Sequence, residues 1–592
     1  MTQRQTSRST VLRRAGVALA AAIAVSTVAS TASAAKRPAA NPTGGEVKVA
    51  IFDTFPGFCV GNNPANSSLM ATRTMYETLF EKTIGGDYIG LLAESASASA
   101  DLKTWTMKLR SGVTFHDGTA MDAQAVLDNL NAATGRTTLA TGRTYLLGTA
   151  VAFLANVKSM TKTDSLTITF VLDRAQNDFP GSLYASGRMI VRAPSQLLTA
   201  SDCANKPSGT GPFKLVSWDT NNLVVTKNTS YWRKDPNTGA SLPYLDKITF
   251  TNVKEGSQRA AAVRKGTYDA GQFSSGVDAK FIQDLRKRKS VLTEYKSPTE
   301  YYPSVWLNQG KPGSPFANKN ARLAVLSCLD RANYVKVRTR GEATVAKSLV
   351  GPKNPMYTTR GFQKFDVTAS KAYVEAYKTE TGKTSLDFST VADTSSTSQN
   401  NMKFLMDQWK KCGMNPSLVV EEGAVVIAKA FNAAPKVANG EYYNAYDLIV
   451  ILLYEGTDVT FNLPFTVTNM FPSASTTCSG AAAAAASTSP ASYFRTSLGT
   501  ILGLNHHSDG CVDKYFYDGE AAQTKAGALT NYQAGTAYLQ TNGFMGSIAH
   551  QYYSLFTSKK LGGIGKLQIE KGKTQRVMTN WGIDWTGVWK KS

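Results

Sequence analysis

Residues 208–253 carry the pattern that most narrows what this chain can fold into. Gly209-Thr210-Gly211-Pro212 is a run of chain breakers: the glycines tolerate positive φ, and Pro212 fixes the approach to the element that follows. Phe213, Leu215 and Ser217 then alternate with Lys214, Val216 and Trp218, the two-residue period of a strand. Asp219-Thr220-Asn221-Asn222 is turn chemistry, and Leu223 to Lys227 is a second β-rich run. After an excursion containing Pro and Gly, Ile248 and Phe250 alternate with Thr249 and Thr251. The stretch reads as a hairpin followed by a third strand, without an obvious catalytic group.

Strands and helices are mixed along the rest of the chain, and 592 residues exceed a single core, so two or more domains are expected. Val47, Val49 and Ile51 mark a first strand, and Asn66 to Phe80 reads as a helix with Leu69, Tyr76, Leu79 and Phe80 on one face. Trp105, Met107 and Leu109 alternate with Thr106 and Lys108, then Phe115-His116-Asp117-Gly118 turns the chain and Asp122 can cap a helix. Ser257 can cap another helix, Gly266 can end it, and Tyr268 to Phe273 follows as a strand, which makes a parallel strand–helix–strand unit. Tyr301 to Asn308 begins a new strand. Further on, Met402, Leu405, Met406 and Trp409 share a helical face that suits a core, and Tyr446 to Val450 is a buried strand. Gly480 to Pro490 is a low-complexity stretch expected to be an exposed loop.

The order of these segments resembles a known family. GTGPF, a Trp, a short hairpin, N-x-x-YW and LPYLDKITF follow one another, preceded by MYETLFE at 75–81 and by W-x-x-x-L-R-x-G-V-x-F-H-D-G-T at 105–119. Ala262, Gly266 and Asp269 match the family's A-x-x-x-G-x-x-D, and Arg322, Asp330 and Arg331 match its V-R-Q-A-L-x-x-A-I-D-R helix, with Leu323 in place of the glutamine. The chain is similar to the extracellular solute-binding proteins of ATP-binding-cassette importers, in the large peptide- and nickel-binding family. The resemblance implies an α/β fold of the periplasmic-binding-protein type, two hinged lobes with mixed sheets and a small domain inserted in the first. The expected division is 35–87, lobe I; 88–205, the insertion; 206–300, lobe I again; 301–535, lobe II; and 536–592, a return to lobe I. It also implies capture of a peptide-like or other mid-sized solute by hinge closure, and delivery to a membrane permease. An aspartate after the second lobe's buried strand pairs with a peptide's amine in that family. Asp458 is its nearest equivalent, Glu455 the second choice and Tyr454 a neighbour, although Val459 replaces the proline that usually follows. Trp306 and Asn308, at the lobe crossing, are further candidates for the cleft wall. His116 reads as part of a structural turn rather than an acid–base group.

Arg4, Arg8, Arg13 and Arg14 precede the apolar run Ala15 to Val28, and Ala32-Ser33-Ala34 completes the pattern of a secretory signal over 1–34. No cysteine precedes Cys59, so export without a lipid anchor, to the periplasm, envelope or medium, is expected. Loss of that segment lowers the formal charge from +22 to +18. The basic residues are scattered apart from Arg286-Lys287-Arg288-Lys289, which suits a solvated helix end and not a nucleic-acid surface. Six cysteines in an exported chain suggest disulfides, with fifteen possible pairings. The expected set is Cys59–Cys203, Cys328–Cys412 and Cys478–Cys511, with buried free thiols as the alternative for Cys328 and Cys412. His506 and His507 near Asp509 make a poor metal site, and no cofactor, metal or enzyme motif is found, so the expectation is a monomeric, non-enzymatic receptor. The alternatives are a secreted hydrolase and a polymer-binding envelope protein.

Overall fold

The computed structural model describes residues 41–591 except 56, 60–65, 84–85, 135–152, 298–300, 432–444, 456–458, 468–504, 506, 508, 571 and 575–581. Two mixed sheets organise it. The seven-stranded sheet runs, edge to edge, Leu292–Lys296, Tyr553–Ser558, Ala270–Ser274, Glu46–Ile51, Lys247–Asn252, Asn222–Lys227 and Phe213–Trp218. The residues 208–253 thus form one flank of it, with both hairpin pairings antiparallel. Glu46–Ile51 lies parallel to Lys247–Asn252 and to Ala270–Ser274, and the helix Gly256–Lys265 joins the last two. Gly266 ends that helix at φ +77°, while Ser257 lies inside it and Glu255 stands at its N-cap.

The five-stranded sheet runs Met414–Glu421, Leu386–Asp393, Leu448–Glu455, Tyr301–Leu307 and Met545–Ser547. Its first three strands are parallel and its last two antiparallel additions. A third, wholly antiparallel sheet of Ala93–Ala98, Thr104–Leu109, Thr167–Leu172 and Val157–Lys162 forms the insertion. Its strands bury Trp105, Met107 and Leu109, the residues the alternation selects, together with Ile168, Phe170 and Leu172 of the neighbouring strand. Helix Lys525–Thr541 spans the boundary expected at 535/536, and Met545–Ser547 after it still belongs to the five-stranded sheet. The chain rejoins the seven-stranded sheet only at Tyr553.

Disulfides join Cys59 to Cys203 and Cys328 to Cys412, so the last two are not free thiols. Cys511 is also disulfide-bonded; Cys478 and the low-complexity stretch 480–490 lie outside the described residues.

The helix expected over 66–80 stops at Thr72. The backbone beyond it is taken by another segment: Gly211 N–H donates to Met75 O and Phe213 N–H to Thr74 O, at 3.0 Å each. A Cβ on Gly209 would fall 2.2 Å from Met75 O, so only glycine admits this approach. Glu77, next along, is fully buried and accepts from Tyr231 Oη at 2.6 Å, from Trp232 Nε1 at 2.9 Å and from Thr210 Oγ1 at 2.9 Å. His116, from the insertion, completes the joint. Its N–H donates to Gly209 O at 2.8 Å, its Nδ1 accepts from Gly209 N–H at 3.4 Å, and its Nε2 lies 2.9 Å from Gly211 O. A carbonyl can only accept, so the proton is on Nε2 and the ring is neutral.

Burial pushes the His116 imidazole down to about 4. The unfolded chain therefore binds a proton near pH 6.5 that the folded chain refuses. The stability this group supplies is complete above pH 6.5 and is lost as pH falls toward 4. Urea titrations at pH 7 and pH 5 should show the wild type losing about 2 kcal/mol more than His116→Gln over that interval. At fixed pH, Tyr231→Phe should lower stability by about 1–3 kcal/mol, because it strips a donor from a buried carboxylate.

Candidate binding cleft

In open α/β sheets a ligand site forms beyond the carboxyl ends of the parallel strands. Here both lobes present those ends to one space. In the first lobe the loops after Asn252 and Ser274 face it; in the second, the loop after Asp393 does. Between them lies a cleft of about 750 Å³. Lys254, Glu255, Val277 and Phe281 line it from the first lobe, and Asp393, Ser396, Asn401 and Leu452 from the second. Helices Gly256–Lys265 and Ser396–Lys411 both begin at its wall, the latter capped by Ser395 Oγ accepting from Ser398 N–H. The walls therefore offer backbone donors and hydroxyls together with aliphatic surface. Val277 is 57% exposed and Leu452 49%, one on each wall. Large aliphatics left open inside a concavity on both sides are surface available to a guest.

The first-lobe wall is held by a buried ion pair. Arg259 Nη2 donates to Asp278 Oδ2 at 2.5 Å, while its Nε reaches Gln272 O at 2.7 Å and its Nη1 reaches Val253 O at 2.7 Å. One guanidinium thus fixes the loop after Asn252 and the loop after Ser274 relative to each other. Burial pushes the Asp278 carboxyl up and the Arg259 charge opposes this. Gly256 packs against the pair, where a Cβ would fall 2.0 Å from Asp278 Oδ1.

Two chain passes connect the lobes at the side of the cleft, and they pair with each other. Tyr301 and Gln551 exchange both backbone hydrogen bonds, at 2.8 and 2.9 Å, and Tyr301 stacks on Tyr553 with ring centroids 4.4 Å apart. Tyr301 Oη is also bonded to Ser274 Oγ. Arg286 does not simply end a solvated helix: it binds Glu294 at 2.8 Å in its own lobe and Glu342 at 3.0 Å in the other, and Glu342 is bonded in turn to Tyr552 Oη.

The structure separates the candidates read from sequence. Trp306 does not reach the cleft. It is fully buried beneath the second sheet, because on that strand it shares a face with Tyr302, in the core between sheet and insertion. Asn308 is also buried and serves its own loop: Nδ2 donates to Tyr446 O at 3.0 Å and Oδ1 accepts from Gly310 and Lys311 N–H. Tyr454 and Glu455 are the last residues of strand Leu448–Glu455, paired with Tyr302 and Tyr301 beside the hinge. Asp458 and His506 lie outside the described residues. His507 is buried, with Nε2 2.8 Å from Thr466 O and its ring stacked on Phe544, which is a core role. Sequence reasoning missed Val277, Leu452 and the Ser395–Ser398 helix start. The serines after a buried strand were a usable signal; Leu452, inside the unbroken apolar run LIVILLY, was not.

Residues 87–475 match the bacterial extracellular solute-binding proteins, family 5 Middle. The glutathione-binding protein GsiB of Pectobacterium atrosepticum is 29% identical over 336 residues, 56% of this chain and 59% of that protein. The chain thus matches about three-fifths of the length of this curated relative. Among solved structures, AgaA from A. tumefaciens R10, bound to agropinic acid, superposes with a TM-score of 0.72 at 17% identity, covering 93% of this chain and 99% of that one. DppA from Helicobacter pylori, bound to the peptide STSA, gives 0.70 at 18% identity with the same coverages. At those identities the likeness is one of fold: two lobes around a cleft.

Replacing Arg259 by Met leaves Asp278 buried without its partner. Urea denaturation should show a loss of about 3–5 kcal/mol, and more than Asp278→Asn, which keeps a polar group able to face the guanidinium.

Proposed function

The chain belongs to the bacterial extracellular solute-binding proteins of family 5, and from that membership we propose that it is the exported receptor of an ATP-binding-cassette importer. It captures a peptide-like or other mid-sized solute between its lobes and passes it unaltered to a membrane permease. The observation that carries this reading is the cleft itself: a 750 Å³ space between the carboxyl edges of two sheets, with exposed Val277 and Leu452 on opposite walls and two paired chain passes at its side. A solute touching both walls stabilises the closed arrangement by its differential affinity for it.

In this reading the helix starts at Gly256 and Ser396 supply backbone and hydroxyl donors, and the aliphatic pair holds the solute's apolar part. Asp458 or, as second choice, Glu455 takes a ligand ammonium, with Tyr454 as their neighbour in sequence. The segment 88–205 is an insertion carried by the first lobe. Residues 1–34 direct export, and no lipid tether is proposed. No helix among the described residues is long and apolar enough to cross a membrane.

The test is to identify by mass spectrometry the solute that remains bound through purification, and then to titrate that compound calorimetrically. Saturable binding with the compound recovered intact is expected; recovery of a cleaved product sinks the proposal. Leu452→Asp and Val277→Asp should each weaken binding about ten-fold or more while leaving the melting midpoint within a few degrees. Asp458→Asn should weaken binding of an amine-bearing solute and spare one without an amine.

A further inference from the structure

The insertion is attached to both lobes, but by joints of different construction. Toward the first lobe the attachment is backbone pairing. Leu91 and Ala93 N–H donate to Leu79 O, Val191 N–H to Glu77 O, Ala193 N–H to Ser208 O and His116 N–H to Gly209 O, at 2.7–3.0 Å. Toward the second lobe there is, among the described residues, one backbone bond, Asn177 N–H to Glu520 O at 2.8 Å. The rest of that seam is side chains. Asn177 Nδ2 donates to Gly519 O at 3.0 Å and to Ala522 O at 2.8 Å, satisfying carbonyls at the end of helix Gly510–Ala521. Thr460 Oγ1 bonds Asp178, Arg174 lies 3.9 Å from the Tyr517 ring centre, and Phe153 stacks on Phe461 at 5.3 Å.

The seam is also imperfectly sealed. It leaves a cavity of about 20 Å³ with a mixed lining, Asn156, Arg174, Gln176 and Glu520 beside Phe153 and Leu463. Among the described residues, the buried Glu520 Oε2 and Arg174 Nε have no hydrogen-bond partner. Buried apolar side chains of both sides also share one core there, Phe179 and Tyr184 of the insertion with Phe461, Phe465 and Phe516 of the second lobe. A joint of packed side chains in place of a continuous backbone ladder is one that can part, as interfaces between domains do. The insertion is fixed to the first lobe, so a swing about the Tyr301–Gln551 passes must carry it off the second.

We propose that the insertion is a closed-state latch: closing the cleft docks Asn177, Arg174 and Phe153 onto the second lobe's helical segments Val459–Asn462, Leu463–Phe465 and Gly510–Ala521, and opening it undocks them. The latch rests on the hinge closure proposed above. It is tested by spin-label distance measurements on the solute-free full chain, with pairs of labels on Lys265→Cys in the first lobe, Lys158→Cys in the insertion and Lys411→Cys in the second lobe. All three lysines are exposed. Two variants release the latch, Asn177→Ala and Thr460→Val, the latter keeping side-chain volume; thermal melts establish that each is folded. Either should raise the long-distance population about ten-fold for 265–411 and for 158–411 together, with 265–158 unchanged. If 265–411 lengthens while 158–411 stays fixed, the insertion travels with the second lobe and the latch is overturned. It is equally overturned if neither folded variant gains a longer population. Solute binding is read separately by calorimetry, so loss of the receptor function and loss of the latch give different results.

Discussion

A carboxylate sealed away from water sets the frame on which the rest is hung. Glu77 is fully buried, and burial alone pushes its carboxyl up; three donors, Thr210, Tyr231 and Trp232, and the nearby Arg233 charge oppose that. Each donor comes from a segment more than a hundred residues away in sequence. Removing any one leaves a buried acceptor short of a partner, which costs more than an exposed hydrogen bond returns. The glycines at 209 and 211 are required in the same place, since a Cβ on either would collide with the Met75 backbone. His116 then ties the insertion to those glycines. The words GTGPF, FHDG, MYETLFE and YW, far apart in the chain, are therefore one object in space.

That explains why so much of the fold was legible. Segments whose side chains meet one another can be recognised by their order even when no single residue announces a role. Alternation marked strands with one buried face, such as Thr104–Leu109 and Asn222–Lys227. Tyr553–Ser558, buried on both faces, shows no alternation and was not read, nor were Leu292–Lys296 and Leu386–Asp393. The cysteines at 328 and 412, on apolar helical faces, were found paired, as the oxidising context suggests. What alternation did not give was direction between lobes. Trp306 sits at the crossing, but whether its face looks into the cleft or into the core depends on where the insertion docks. The same limit hid Leu452: in a run of seven apolar residues, nothing local says which one overlooks the open space. The helix that ended at Thr72 failed for another reason. Its apolar spacing was sound, yet the backbone beyond was claimed by Gly211 and Phe213, a tertiary contact that outweighs helical propensity.

The hinge is the second constraint. Two chain passes that hydrogen-bond to each other resist twist and shear more than a single linker would, while still allowing bending across the pair. Stacking of Tyr301 on Tyr553 and the Arg286–Glu342 contact bring side chains of both lobes to the same line.

A receptor of this kind works only if its open and closed forms lie within a few kcal/mol of each other, since a solute shifts the balance by no more than its differential affinity for the two. A wholly apolar seam between insertion and second lobe would hold the cleft shut without a guest. The seam instead buries Arg174 with Tyr517, Asp513 and Glu520, and burial pushes the Glu520 carboxyl up to about 8. Desolvating such a cluster offsets much of what its attractions and the adjoining aromatic contacts contribute. In the proposed latch these buried charges oppose what the shared apolar core contributes, and the solute in the cleft tips the balance between the two forms. On that view the ionisable groups in the seam are what keeps a large contact reversible.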